Sequence, residues 1–310
     1  MTLVLMVVCM VALTCSSACN RPKKLTFALP TADWWTAAPF VMAESDSFFN
    51  ARNVQVSTLE VNSGLASKNA VVAGTADIGL CAATPLAMSA AKKEQIVILR
   101  TYLRSSSIIG LIRPRDLAPN QLPPQPIAVV PLTISESYLY QYLVKSGQQQ
   151  LMVEKKIQQL HQRPADIPGS LRSGDAKSAV IWEPFLSLSA EQTGYQIERA
   201  VPDFEVNLYL ITRPDFYNRN RAEIDAFLSA VDDSCRFLRD NPDSARRQIE
   251  RRFNFRVDFL AATWPGVHYG LWFDREAMVA ELTREATTAK ALGAISEIPD
   301  FSYLFSNSTK

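Results

Sequence analysis

Ala73-Gly74-Thr75-Ala76-Asp77-Ile78-Gly79-Leu80-Cys81 and Ser173-Gly174-Asp175-Ala176-Lys177-Ser178-Ala179-Val180-Ile181-Trp182-Glu183-Pro184 say the same thing about 100 residues apart. In each, a glycine able to take the left-handed conformation closes a helical segment. A small residue with an Asp then leads into a short apolar strand that runs out into a loop. The unit is a helix followed by a strand, made twice. Two such units predict two α/β lobes of similar build, and a cleft between two lobes is a favoured place for a small ligand.

Outward from the first unit, residues 25–29 read as a strand, followed by Trp34-Trp35 and a helix through residues 38–49. Residues 54–61 alternate as a second strand, and residues 64–73 form the helix that delivers the chain to the first unit. A helix over 85–93 and strands over 96–102 and 108–112 come next. The stretch 114–126, with Pro119, Pro123 and Pro124, predicts a surface connector and a lobe boundary. A second α/β run follows: a strand at 127–130, a helix at 135–145, a strand at 156–162 and a helix at 164–173 before the second unit. Residues 205–212 read as a returning strand, and everything after Asp215 reads as helical. There Trp264, Tyr269, Trp272 and Phe273 fall at helical spacing, which predicts packing in the core.

The chain has 310 residues. Residues 2–14 are an almost uninterrupted apolar run, too short to span a bilayer, which takes ~20 residues, but of the length of an export signal. Ser16-Ser17-Ala18-Cys19 is similar to a bacterial lipoprotein processing site, in which Cys19 becomes the lipidated first residue; an ordinary cleaved signal is the alternative. Beyond it remain about 290 residues, enough for a two-lobed fold with a sizeable core. Charge is balanced, 32 Lys and Arg against 31 Asp and Glu, which implies no nucleic-acid partner. Cys81 and Cys235, the two cysteines after residue 19, sit in apolar patterns that suit buried thiols.

In order and spacing, several segments together resemble the extracytoplasmic solute-binding proteins of ABC importers, in the branch of nitrate-, sulfonate-, taurine- and thiamine-pyrimidine-precursor-binding proteins. The carriers are Ala43-Glu44-Ser45-Asp46-Ser47-Phe48-Phe49 before Val54-Gln55-Val56, the two repeated units, and Ile127-Ala128-Val129-Val130 before Thr133. The resemblance implies a type II periplasmic-binding-protein fold: two α/β lobes with a cleft and two chain crossings. It places lobe one at residues 25–113 and 208–310 and lobe two at 114–207, with hinges near 112–115 and 206–209. It also implies an exported protein, in the periplasm or lipid-anchored to the outer face of the membrane, acting as a monomer with an ABC permease as partner and without a cofactor or metal.

A ligand in such a cleft meets the loops that open helices, because helix N-termini offer unpaired N–H groups and partial positive charge. That logic selects Trp34, Trp35, Ser63, Gly64, Ala83 and Thr84 from lobe one, and Thr133, Ser135, Trp182 and Glu183 from lobe two. Each also has a structural explanation. Ser63 and Thr84 are natural helix caps, and Glu183 either pairs with an Arg of the protein or meets a cationic group of the ligand. The expected solute is a small organic or inorganic anion of the sulfonate, taurine or nitrate kind; alternatives are a pyrimidine-type aromatic solute or a sensor module. Catalysis has little support. The only histidines, His161 and His268, fall in different lobes without nearby Cys or paired carboxylates, and no Walker or dinucleotide glycine pattern occurs.

Overall fold

Both repeated units make the turn that their sequence spells. Gly74 and Gly174 sit at φ +77° and +84°, which an L side chain resists. Beyond them the amides of Ala76 and Ala176 bond back to the carbonyls of Ala70 and Ser170, each at 3.1 Å. The next amides, of Asp77 and Lys177, reach the carbonyls of Thr26 and Pro126 at 2.8 and 2.9 Å, so each unit is pinned to the strand, or its approach, that opens its own lobe. The computed structural model describes residues 24–305 apart from 32, 119–120, 202–203, 255–259 and 263. The expected export segment 1–19, with Cys19, lies outside the described residues.

The first lobe begins with β1 (Lys24–Pro30), α1 (Trp34–Ser45), α2 (Phe48–Ala51), β2 (Gln55–Val61), α3 (Gly64–Val72), β3 (Ile78–Ala82), α4 (Ala83–Ala91) and β4 (Val97–Ser105). The second contains β5 (Ile109–Arg113), β6 (Ile127–Val129), α5 (Ile134–Lys145), α6 (Gln149–Val153), β7 (Gln159–His161), α7 (Ile167–Ser173), β8 (Ser178–Trp182), α8 (Phe185–Thr193) and β9 (Gln196–Glu198). The chain then returns through β10 (Val206–Thr212), α9 (Pro214–Arg219), α10 (Arg221–Asp240), α11 (Pro242–Phe253), β11 (Val267–Trp272) and α12 (Arg275–Ala291).

The sheet orders are β11-β4-β10-β3-β1-β2 and β7-β6-β8-β5-β9. In each, the strand of the repeated unit, β3 or β8, lies between a parallel strand from its own lobe and an antiparallel strand next to a crossing, β10 or β5. Val206 pairs with Ser105 and Leu111 with Glu198, so the two crossings run side by side between paired strands.

This pairing moves the first boundary. Ile109 to Ile112 pair with Trp182 to Ala179 of β8, so the chain has already entered the second sheet before residue 113, and the crossing lies between Ser105 and Ile109 rather than at 112–115. The second crossing lies between Glu198 and Val206, just ahead of the expected 206–209. The proline-rich stretch is a connector inside the second lobe, not its border.

The helical reading after Asp215 fails at β11. Pro265 and Gly266, the latter at φ +84°, stop the helical run, and Val267 to Trp272 pair with β4. The aromatic group consequently divides. Tyr269 is buried in the core, whereas Trp264, Trp272 and Phe273 are half-buried and Arg104 lies 4.7 Å over the Trp272 ring.

Cys81 and Cys235 are buried free thiols. Helix α10 buries Ile224, Phe227, Leu228, Val231, Cys235 and Leu238, the stripe that a 3.6-residue repeat aligns on one face. Phe227 at its centre meets Phe27 at 5.4 Å and Phe49 at 5.6 Å between ring centroids, so it ties the returning helix to β1 and α2. Phe227→Ala should cost ~3–5 kcal/mol, seen as a lower urea midpoint at unchanged far-ultraviolet dichroism; a change within 1 kcal/mol, roughly the effect of a surface substitution, would remove this contact from the core's main supports.

Candidate functional site

Four helices begin where strands of the two sheets end. α1 follows β1, α3 follows β2, α4 follows β3 and, in the second lobe, α5 follows β6. Their first turns meet at a cavity lined by Asp33, Trp35, Thr36, Ser63, Gly64, Leu65, Leu80, Ala82, Pro85 and Leu208 of the first lobe and Thr133, Ile134 and Trp182 of the second. It holds about 40 Å³, room for water but far below the ~300–1,000 Å³ of a small-molecule site. A solute of that size enters only if the lobes part. Larger hollows exist in the first lobe, including one of about 720 Å³ along β11 and one of about 730 Å³ between α4 and the C-terminal segment. Neither takes lining from helices or strands of the second lobe.

Two tryptophans fasten the lobes across the cavity. Trp35, 2 % exposed, donates its indole N–H to the carbonyl of Glu183, while its own carbonyl accepts from Tyr269 at 2.8 Å. In the opposite sense, Trp182 donates Nε1–H to Asp33 Oδ1 at 3.2 Å. Each lobe thus offers one indole and receives one. On α12, Thr288 of the first lobe accepts from Gln141 of the second at 3.0 Å.

Ser63 caps α3, its Oγ accepting from the amide of Ala66 at 3.2 Å. Gly64 lies so near β3 that a Cβ would sit 3.3 Å from Cys81 Cα, a tight approach that a side chain could make only if β3 gave way by a few tenths of an ångström. Thr133 caps α5 by accepting from Ser135 at 3.2 Å and donating to Val130 at 2.8 Å. Trp35, Ser63, Gly64, Thr133 and Trp182 are therefore brought together at the cavity. Trp34 heads α1, and its side chain lies outside the described residues.

Four selected residues do not line it. Ala83 and Thr84 are buried between Ala82 and Pro85, which line the cavity in their place. Thr84 Oγ1 donates to Glu285 at 2.7 Å. Ser135 is wholly buried and divided between the carbonyl of Val180 and the amide of Val130. The Glu183 carboxylate, 1 % exposed, is occupied by the amide and hydroxyl of Ser187 at 3.1 and 2.8 Å and by Arg199 at 3.3 Å. Burial raises its pKa, and the Ser187 bonds and Arg199 oppose that rise. Of its two readings, the geometry gives the pairing with an Arg of the protein.

Asp33 and Thr36 also line the cavity, and Asp33 carries the same signal as Trp34 and Trp35, a place in the loop between β1 and the start of α1. Burial pushes Asp33 up to about 7, against the indole hydrogen bond, which lowers it. No Lys, Arg or His lines the cavity among the described residues.

A sequence profile of the NMT1-like family matches residues 20–251. The chain belongs to the NMT1-like family. No curated protein matches it. Among solved structures, this NMT1-like protein is similar to the periplasmic aliphatic sulphonate binding protein of Escherichia coli, at 15% identity over 92% of this chain and 97% of that one, with a TM-score of 0.76. The periplasmic nitrate-binding protein of Synechocystis PCC 6803 follows the same fold at 16% identity over 87% and 80% of the two chains, TM-score 0.65. So does a Candida albicans gene product with the generic periplasmic binding protein fold, at 16% identity over 91% and 93%, TM-score 0.69. These likenesses establish the periplasmic-binding-protein fold for the NMT1-like chain.

Because folded Asp33 holds its proton more tightly than the unfolded chain, its contribution to stability falls as the pH rises from about 4 towards 7 and is constant above. Asp33→Asn removes the charge and keeps the acceptor for Trp182. The variant should match the parent at pH 4 and exceed its Tm by roughly 5 °C at pH 8. Glu183, Glu281 and Glu285, raised by burial as well, are common to both proteins and cancel. Thermal melts with a gap that does not widen with pH would place the Asp33 charge in water.

Proposed function

We propose that the chain is the extracytoplasmic solute-binding component of an ABC-type importer, which holds a small organic solute between its lobes and hands it to a permease. The observation that carries this reading is the cavity at the meeting of helix N-termini from both lobes, fastened across by Trp35 and Trp182. The sulphonate- and nitrate-binding neighbours support it. Binding rather than catalysis suits the site, since its polar groups are caps and indole partners and no nucleophile–base pair lines it among the described residues.

For an anionic head group, the N–H groups opening α3 and α5 supply the donors and the positive ends of two helix dipoles. A second reading, a flat aromatic solute, is supported by the two indoles that line the cavity, because stacked rings contribute ~0.5–1.5 kcal/mol beyond area. In keeping with this role, the protein acts outside the cytoplasm as a monomer anchored through a lipid on Cys19.

Small-angle scattering should show a more extended protein without solute and a smaller radius of gyration with it, the motion being taken up at 105–109 and 198–206. A screen of sulfonates, nitrate, bicarbonate and pyrimidines by thermal shift finds the solute, since one at ~100 times its Kd stabilises by ~2.7 kcal/mol. Superimposable curves with and without a stabilising solute would refute the closing cleft. Cys19→Ala should release the protein from membranes, because attachment of this kind rests on acyl burial; a variant that still fractionates with membranes removes the lipid anchor from the proposal.

A further inference from the structure

Asp33 is the one ionisable residue lining the cavity among the described residues, and it is 3 % exposed. It stands at the N-cap of α1, where an Asp usually accepts from the first turn of its own helix, yet its side chain makes no capping bond. The carboxylate is turned instead towards the other lobe, where Trp182 donates to Oδ1. The helix start is served by its backbone: the Asp33 carbonyl accepts from the amides of Thr36 and Ala37 at 3.0 and 3.1 Å. Arg199, which follows β9, is engaged with Glu183.

A buried carboxylate with one neutral donor and no cation is costly to the protein alone. It becomes favourable when a guest brings the counter-charge. A simple oxyanion would bring the wrong sign and sit against carboxylate oxygens, with no basic side chain in the lining to offset them. We propose that Asp33 reads a positively charged or N–H-donating nitrogen on the solute, so that this cleft takes amine-bearing organic compounds in preference to simple oxyanions; the proposal rests on the solute-binding reading above. The retention of a proton by Asp33 up to about 7 agrees with a site that lacks its cation until the solute arrives. The nitrogen can belong to an aliphatic ammonium, with an acidic head at the helix N-termini, or to an amino-heterocycle stacked on the indoles.

Titration calorimetry with the full chain at one pH separates these. The probes are two matched pairs, taurine against ethanesulfonate and 4-aminopyrimidine against pyrimidine, with nitrate as the bare oxyanion. The amino member of one pair should bind at least about tenfold more tightly than its partner, and which pair responds identifies the source of the nitrogen. Asp33→Asn should weaken that amine by about 30-fold or more, the loss typical of a buried charge left without its partner, and leave the amine-free partner bound at least as tightly as before, since the substitution removes the buried charge that opposes it. Asp33→Glu keeps the charge and should recover part of the affinity if the amide variant folds poorly, and the matched pairs need no variant at all. Ethanesulfonate, pyrimidine or nitrate binding as tightly as the amines, or Asp33→Asn binding the amine normally, would overturn the proposal. So would silence from both amines. A solute without any N–H that closes the lobes in scattering would overturn it too, while leaving the solute-binding reading intact.

Discussion

Each lobe is finished by a strand that the chain lays down next to a crossing. β10 closes against β3 on returning to the first sheet, and β5 closes against β8 on entering the second. The repeated glycine units sit next to these seams, so the strands that they deliver, β3 and β8, carry the lobe's own helices on one side of the sequence and the crossing strand on the other in the sheet. Both strands are buried along their whole length. A slip of one residue would turn each apolar run against a different set of neighbours and uncouple the crossing from the strand that ends at the cleft. The cleft's position therefore follows from the pairing that completes the sheets. Ala82 and Trp182, the last residues of β3 and β8, both line the cavity.

Much of this was legible in the residues. The helix-to-strand units, the element order of the two runs and the helix-opening loops all came from local signals: left-handed glycines, apolar runs of strand length, and small polar residues before helices. The boundary at 113 was not legible, because a proline-rich connector punctuates a chain in the same way whether it lies between lobes or inside one. Only the pairing of Leu111 with both Val180 and Glu198 decides that. β11 was missed for a related reason: Trp264, Tyr269, Trp272 and Phe273 satisfy helical spacing, while Pro265-Gly266 and the alternation of buried Val267, exposed His268 and buried Tyr269 carry the strand.

Within the site, the division between residues that reach the cavity and those that do not turns on side-chain partners that sequence does not reveal. Thr84 and Thr133 are both hydroxyl residues beside a helix start, and one is drawn to a buried acid on α12 while the other caps α5 at the cavity edge. Glu183 and Asp33 make the same contrast among carboxylates. The first lies one residue past a buried strand and finds Ser187 in its own lobe and Arg199 where the chain leaves it; the second finds only an indole from across the cleft. An acid's charge is visible in sequence, but whether the fold has already supplied its counter-charge is a property of the packing.

On the proposed binding role, that contrast bears on how the lobes respond to a solute. A ligand shifts an equilibrium between open and closed lobes only by the difference in its interactions with the two. The indole bonds of Trp35 and Trp182 favour closure with or without a guest, so taken alone they would hold the lobes together and blunt the response. The burial of Asp33 acts in the opposite direction, because closing over an ionised carboxylate removes it from water without a cation to replace the lost hydration. On the proposal for Asp33, the two contributions oppose one another in the empty cleft, and a solute that neutralises Asp33 cancels the term opposing closure while keeping the term that favours it. A cleft whose carboxylate were already paired, as Glu183 is, would lack this lever, and the solute would then have to supply the whole difference through new contacts.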